Sequence, residues 1–230
     1  MTSDAAVKPP QAAAAAASSA DPRPLLRGTL HLGAAVAAPF GAVALLLIAS
    51  SPRAYVGAAV FAASMMLLYG TSAAYHLVRW TARSRAWVKR IDHSMIFVLI
   101  AGTYTPFCLI VLGNAWGITM LAVVWSVAGA GVLLKVVWPA APRWLAVCAY
   151  LAAGWLGVIP ATEVTSWFAA APLALLILGG VMYSVGSLVY AARWPDPLPR
   201  FFGYHEVFHG LVVAGSAIHF SLVAAYVLPA

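Results

Sequence analysis

Two histidines, His205 and His209, stand four residues apart, so on a helix their imidazoles share one face and can reach a single ion. Ser72 and His76 repeat that spacing in a second segment, setting a hydroxyl one turn from another imidazole. A third segment carries Asp92. Three neutral imidazoles around one cation, with a fourth position left to water, form the ligand set of a catalytic zinc site. Nitrogen donors also suit Zn2+ better than Mg2+ or Ca2+. In such a site Asp92 would hydrogen-bond the water, orient a ligand or act as general base. The Ser72 hydroxyl would steady the water or an oxyanion developing on the substrate. The candidate metal ligands are therefore His76, His205 and His209, with Ser72 and Asp92 as the candidate catalytic residues.

Other polar groups compete for attention. His205-Glu206-Val207-Phe208-His209 is a literal H-E-x-x-H, the zinc-protease signature in which the glutamate activates water. Its downstream context argues against that chemistry. Beyond His209 there is one further histidine, His219, and no acidic residue, and Val212 and Gly215 stand where the extended motif has Gly and His. His31, alone in its segment, and His93, beside Asp92, read as polar anchors rather than ligands. His219 lies ten residues beyond His209, about 15 Å further along a helix, and reads as a packed or hydrogen-bonded histidine. Glu163 falls in a connection between apolar runs.

These groups have to be positioned by elements that live in hydrocarbon. Of 230 residues, 63% are hydrophobic and 8% charged, and the mean hydropathy is +0.92. A soluble domain covers itself with about 25% charged residues, so a water-soluble enzyme is excluded. The formal charge of +7 does not point to nucleic acid, because no stretch is long and polar enough to present a basic face to solvent. Cys108 and Cys148 sit 40 residues apart in apolar runs and match neither a disulfide framework nor a metal-spaced pair.

Apolar runs of about 18–25 residues, each long enough to cross a bilayer, predict spans at 28–50, 55–78, 91–112, 117–138, 144–161, 171–192 and 204–228. The expected fold is an all-α bundle of seven transmembrane helices occupying 28–230. Nothing alternates with a period of two, which argues against a β-barrel. Residues 1–27, rich in Ala and Pro, read as a disordered tail. They contain no block of about 7–15 strongly apolar residues such as a signal peptide requires. Twelve of the thirteen Lys and Arg residues fall in the tail and alternate connections, and Arg53 alone falls in the other set. That bias places the N-terminus in the cytoplasm and the C-terminus outside. His76, Asp92, His205 and His209 then all lie within about 10 Å of the cytoplasmic edge of their helices. Ionisable groups in such a layer are functional candidates by default.

The segments that carry these residues resemble the haemolysin III family, within the larger group that includes the progestin and adipoQ receptors. They are Ser72-Ala-Ala-Tyr-His76, Asp92-His-Ser-Met-Ile-Phe97 with Ala101-Gly-Thr-Tyr-Thr-Pro-Phe107, and His205-x-x-x-His209-Gly with Ser216-Ala-Ile-His219-Phe. His31-Leu-Gly is a fourth. The resemblance implies a seven-helix bundle in the cell membrane with an intramembrane zinc site. Related alkaline ceramidases use a Ser, an Asp and three His, which map onto Ser72, Asp92, His76, His205 and His209, and they hydrolyse lipid amides. The family name comes from cell lysis attributed to a member, and bacterial members are linked to membrane-fluidity control. Two departures stand out. The acidic residue common ahead of the first-span histidine is absent, since 23–30 reads Arg-Pro-Leu-Leu-Arg-Gly-Thr-Leu. Glu206 occupies a position where the family tolerates uncharged residues, which implies that it is incidental to chemistry.

Three functions follow as expectations. The first is a Zn2+-dependent hydrolase acting on a membrane lipid amide or related acyl lipid. The second is a membrane-lytic or channel-forming protein, for which no charged stripe along a helix speaks. The third is a sensor of bilayer state in which zinc ties helices together. The charge bias makes its own prediction: in intact cells a C-terminal tag reacts with an impermeant label and an N-terminal tag reacts only after permeabilisation, and the reverse pattern refutes the assignment.

Overall fold

A computed structural model describes residues 24–229 of the chain. Most of the expected tail, 1–23, lies outside the described residues. The described residues fold into eight α-helices with no strand. These are α1 (Thr29–Ile48), α2 (Pro52–Leu77), α3 (Ala82–Pro106), α4 (Ala115–Val137), α5 (Arg143–Gly154), α6 (Ala161–Trp167), α7 (Ala170–Ala192) and α8 (Tyr204–Leu222). Single π turns, Phe107–Val111 and Val223–Val227, prolong α3 and α8.

The starts of the helices are written in local chemistry. Ser51 opens α2 by accepting the Ala54 N–H at 3.2 Å, with Pro52 at the first helical position where no N–H is needed. Thr81 caps α3 through the Ser84 N–H at 3.2 Å, and Asn114 caps α4 through the Trp116 N–H at 2.9 Å. The cap at Thr81 corrects one predicted boundary. Residues 82–90 form the first turns of α3 rather than part of a loop, because Arg and Lys are good helix formers; their charges mark where the helix leaves hydrocarbon, not where it ends.

Six helices are long and apolar enough to cross a membrane. The fifth predicted span, the shortest, is instead a bent pair, Arg143–Val158 and Ala161–Trp167, whose axes differ by 57°. It still traverses the bundle. Arg143 Nη1 donates to the Tyr190 carbonyl at 3.3 Å near the end of α7, while Phe168 packs against Phe107 at the far end of α3, with ring centroids 6.1 Å apart. Counted as one span, this pair brings the described residues to seven crossings. A broken helix in a bilayer needs its released backbone groups satisfied from within the protein. Tyr104 does so: its Oη donates to the Gly154 carbonyl at 2.6 Å and accepts the Gly157 N–H at 2.7 Å.

Two buried clusters hold the crossings together. Leu45, Phe61, Met65 and Leu222 pack α1, α2 and α8, and Phe97, Met120, Val124 and Tyr150 pack α3, α4 and α5. Outside them, Phe40, Leu47, Ile118 and Val137 are more than two-thirds exposed. An exposed apolar belt of this kind has lipid as its natural solvent, so the chain is a multi-pass integral membrane protein. Close approach of α3 to α4 depends on Gly131, where an added Cβ would lie 2.5 Å from the Phe97 ring. Gly131→Val is expected to lower stability by about 1–3 kcal/mol through overpacking, read as a lower thermal midpoint in detergent; an unchanged midpoint would show that the ring has room to move.

Candidate metal centre

The end of α2 and the start of α8 meet at one end of the bundle, and α1 begins beside them. His76 occupies the last turn of α2, and His205 and His209 the first two turns of α8. Gly28 makes the junction possible. It caps α1 with φ of +85°, a conformation that L side chains rarely adopt, and a Cβ there would stand 2.6 Å from the Cβ of His76.

His76, His205 and His209 each offer a ring nitrogen, and the three lie within 4.8 Å of one another. His205 Nε2 and His76 Nε2 are 3.3 Å apart. Tetrahedral zinc with Zn–N bonds of about 2.0–2.1 Å separates its nitrogen ligands by about 3.3–3.4 Å, so the pair already has the spacing of two ligands to one ion. The rings are inclined by 61° to 71° to one another, with centroids 4.5 to 5.1 Å apart. This is the disposition of three planes converging on a shared point. His209 Nδ1 is buried without a hydrogen-bond partner. The donor set fits a cation that prefers nitrogen, and it can hold a metal ion.

Ser72 and Asp92 stand around this cluster in different ways. Ser72, buried on α2, is hydrogen-bonded to His31, with Oγ 2.7 Å from Nδ1. Asp92 lies ten residues into α3, rather than in its first turn, and its carboxylate is 3.5 Å from His93 Nδ1. It is not part of the close three-histidine cluster, yet it shares a cavity wall with Ser72, His205 and His209. The cavity has a volume of about 120 Å³ and runs from these residues along the bundle between Leu68, Leu99, Ile100 and Val212 to Tyr104 and His219. Its lining is polar at the histidine end and mostly apolar beyond.

The remaining polar groups sort by partner. His93 bonds through Nδ1 to the Lys89 carbonyl at 2.8 Å and through Nε2 to the Tyr190 hydroxyl at 3.3 Å. His219 donates from Nε2 to the Leu176 carbonyl at 3.1 Å. Glu163 is exposed on α6. Glu206 is 1% exposed, accepts the Gly203 N–H at 2.8 Å and forms an ion pair with Arg27. Its carboxylate therefore caps α8 and anchors the segment ahead of α1. That segment is also tied by Leu25 N–H to the Arg200 carbonyl at 3.0 Å and by Leu26 N–H to the Phe201 carbonyl at 3.1 Å. Residues 24–27, expected as tail, are thus docked. The residue that sequence reasoning undervalued is His31. Read as an anchor, it is 3% exposed and stacks flat on His209, with centroids 3.7 Å apart and planes 10° apart. Its signal was the short His31-Leu-Gly match, whose meaning depends on α1 lying against α8.

The sequence profile described as haemolysin-III related matches residues 20–220. The hemolysin-3 homolog of Bacillus subtilis (strain 168) is 38% identical over 167 residues, covering 73% of this chain and 75% of that protein. The hemolysin-3 of Bacillus cereus is 34% identical over 205 residues, covering 87% and 90%. The heptahelical transmembrane protein ADIPOR3 of Oryza sativa subsp. japonica is 31% identical over 182 residues, 70% of this chain but 44% of that longer protein.

Gly28→Ala removes no donor, yet it must displace His76. It is expected to lower bound metal per purified chain several-fold, whereas Gly210→Ala, whose Cβ would meet only Leu30 at an ordinary 3.6 Å, leaves metal content unchanged. Equal metal content in the two variants would separate the junction at Gly28 from the site.

Proposed function

Because the chain belongs to the haemolysin III-related family, we propose that it is a zinc-dependent membrane hydrolase acting on a lipid amide or related acyl lipid. The observation that carries this reading is the convergence of His76, His205 and His209 within 4.8 Å, with His205 and His209 on the wall of a mostly apolar cavity. When bound, Zn2+ supplies Lewis acidity and makes a proton easier to remove from water. His76, His205 and His209 would hold it. Asp92, on the same cavity wall, would accept a proton from water. Ser72 offers a hydroxyl to the acyl oxygen as charge develops there. Leu99, Ile100 and Val212 give the acyl chain an apolar bed and exclude water, which strengthens every polar contact at the histidine end.

The ligands come from two helices, so a metal here also clamps α2 to α8. That favours one second reading, a sensor of bilayer state in which the ion is purely structural. Metal content and turnover separate the two. The wild type is expected to carry one zinc per chain, and His76→Ala and His205→Ala to lose it. Ser72→Ala and Asp92→Asn should retain zinc while cleavage of ceramides and other N-acyl lipids, followed by mass spectrometry, falls about 100-fold or more. Zinc-loaded wild type that cleaves none of these lipids, but unfolds at lower temperature once zinc is removed, would replace the hydrolase with the sensor. Dye leakage from liposomes that His76→Ala leaves unchanged would instead support a zinc-independent lytic activity.

A further inference from the structure

His31 lies against the three-donor cluster without being one of its members. Its ring is held on three sides. One face lies flat against His209 at 3.7 Å, an edge contact to Tyr69 places the centroids 5.1 Å apart at 73°, and Nδ1 is 2.7 Å from Ser72 Oγ. At 3% exposure the ring is closed off from solvent. The hydrogen bond to Ser72 joins α1 to α2 across 41 residues of sequence.

The direction of that hydrogen bond decides what Ser72 can do. If the hydroxyl donated to Nδ1, neutral His31 would carry its proton on Nε2, which is buried with no partner, and Ser72 would have no hydrogen left to offer. If Nδ1–H donates to Oγ, Nε2 is a bare acceptor and the Ser72 hydrogen is released. An unpaired buried N–H is the rarer defect in folded proteins, and stacking against His209 leaves the Nδ1 edge of His31 aimed at Ser72. We propose that His31 is the positioning residue for Ser72: it donates Nδ1–H to the serine oxygen and so turns the hydroxyl hydrogen toward the cavity, where an acyl oxygen would accept it. This role rests on the hydrolase reading of the same site. It makes no use of His31 as a metal ligand.

The geometry of two amides supplies the test. An Asn side chain places a polar atom near the position of imidazole Nδ1, and a Gln near that of Nε2, so only Asn can replace the Ser72 contact. Full-length protein carrying His31→Asn, His31→Gln, His31→Ala, Ser72→Ala or the His31→Ala/Ser72→Ala pair is purified in detergent and loaded with Co2+ as a spectroscopic probe. All are expected to bind Co2+ at the wild-type ratio. Ser72→Ala, His31→Ala and His31→Gln should shift the visible absorption in the same way, the double variant no further than Ser72→Ala alone, and His31→Asn should keep the wild-type spectrum. With a fluorescent short-chain ceramide as substrate, kcat should fall about 10- to 100-fold for Gln and Ala with KM little changed, and Asn should restore most of it.

Loss of Co2+ from His31→Asn, as from a ligand substitution, would overturn the proposal, and so would additive spectral shifts in the double variant. So would Asn and Gln variants that behave alike, because simple packing against His209 does not distinguish Nδ1 from Nε2. Wild type that takes up no Co2+ overturns the metal reading and this inference together. Wild type that binds Co2+ but cleaves nothing overturns the hydrolase alone, and the spectra still decide whether His31 governs Ser72.

Discussion

A bilayer core contains no water to satisfy a polar group, so each buried donor and acceptor must find its partner inside the protein. Everything notable in this bundle is a response to that constraint. Where the fifth crossing breaks, Tyr104 steps across from α3 and takes up both a carbonyl and an N–H. Where α8 begins, Glu206 closes the exposed backbone of its first turn and neutralises Arg27. Ser64, Thr103 and Thr105, buried in mid-span, return their hydroxyls to carbonyls of their own helices at 2.7 to 2.8 Å. Against this background, His209 Nδ1, His31 Nε2, Tyr69 Oη and His219 Nδ1 are buried without a hydrogen-bond partner, and the first two lie at the candidate metal centre. Polar atoms without protein partners in such a medium are where a bound ion or ligand belongs.

The same medium explains how the site is assembled. Lipid gives no hydrophobic drive to pull helices together, so association relies on close fit and small residues. Gly131 admits the Phe97 ring between α3 and α4, Gly57 lets α2 meet the backbone at Pro106, and Gly28 brings the start of α1 over His76. Pro106 ends the regular part of α3 just before its π turn, and Gly28 is both the cap of α1 and the neighbour of a metal-ligand candidate. Arg27 lies next to Gly28 and pairs with Glu206.

Much of this was legible beforehand. Long apolar runs declared six of the crossings, because a span must be about 20 residues of continuous apolar chain whatever surrounds it. The spacing of His205 and His209 placed two imidazoles on one face, because helical periodicity is local. The fifth crossing is harder to read, since it bends at residues 159–160, and the turn just ahead of the bend is held by Tyr104 from a distant segment. The α3 helix begins nine residues ahead of its predicted apolar span, since helix formation in Arg83, Arg85 and Lys89 proceeds without regard to where the membrane surface lies. His31 looked like one more interfacial histidine because nothing in its own segment reports what it faces.

By itself, then, the chain's order of residues determined the medium, the helices and which side chains had the chemistry to bind a cation, because hydropathy, periodicity and donor type are properties of short stretches. Which of those side chains meet was decided only by tertiary packing. Bringing His76 to 3.3 Å from His205 and laying His31 on His209 requires helices far apart in sequence to cross at fixed depth and rotation. Those settings come from contacts among all seven crossings and are written in no single one of them.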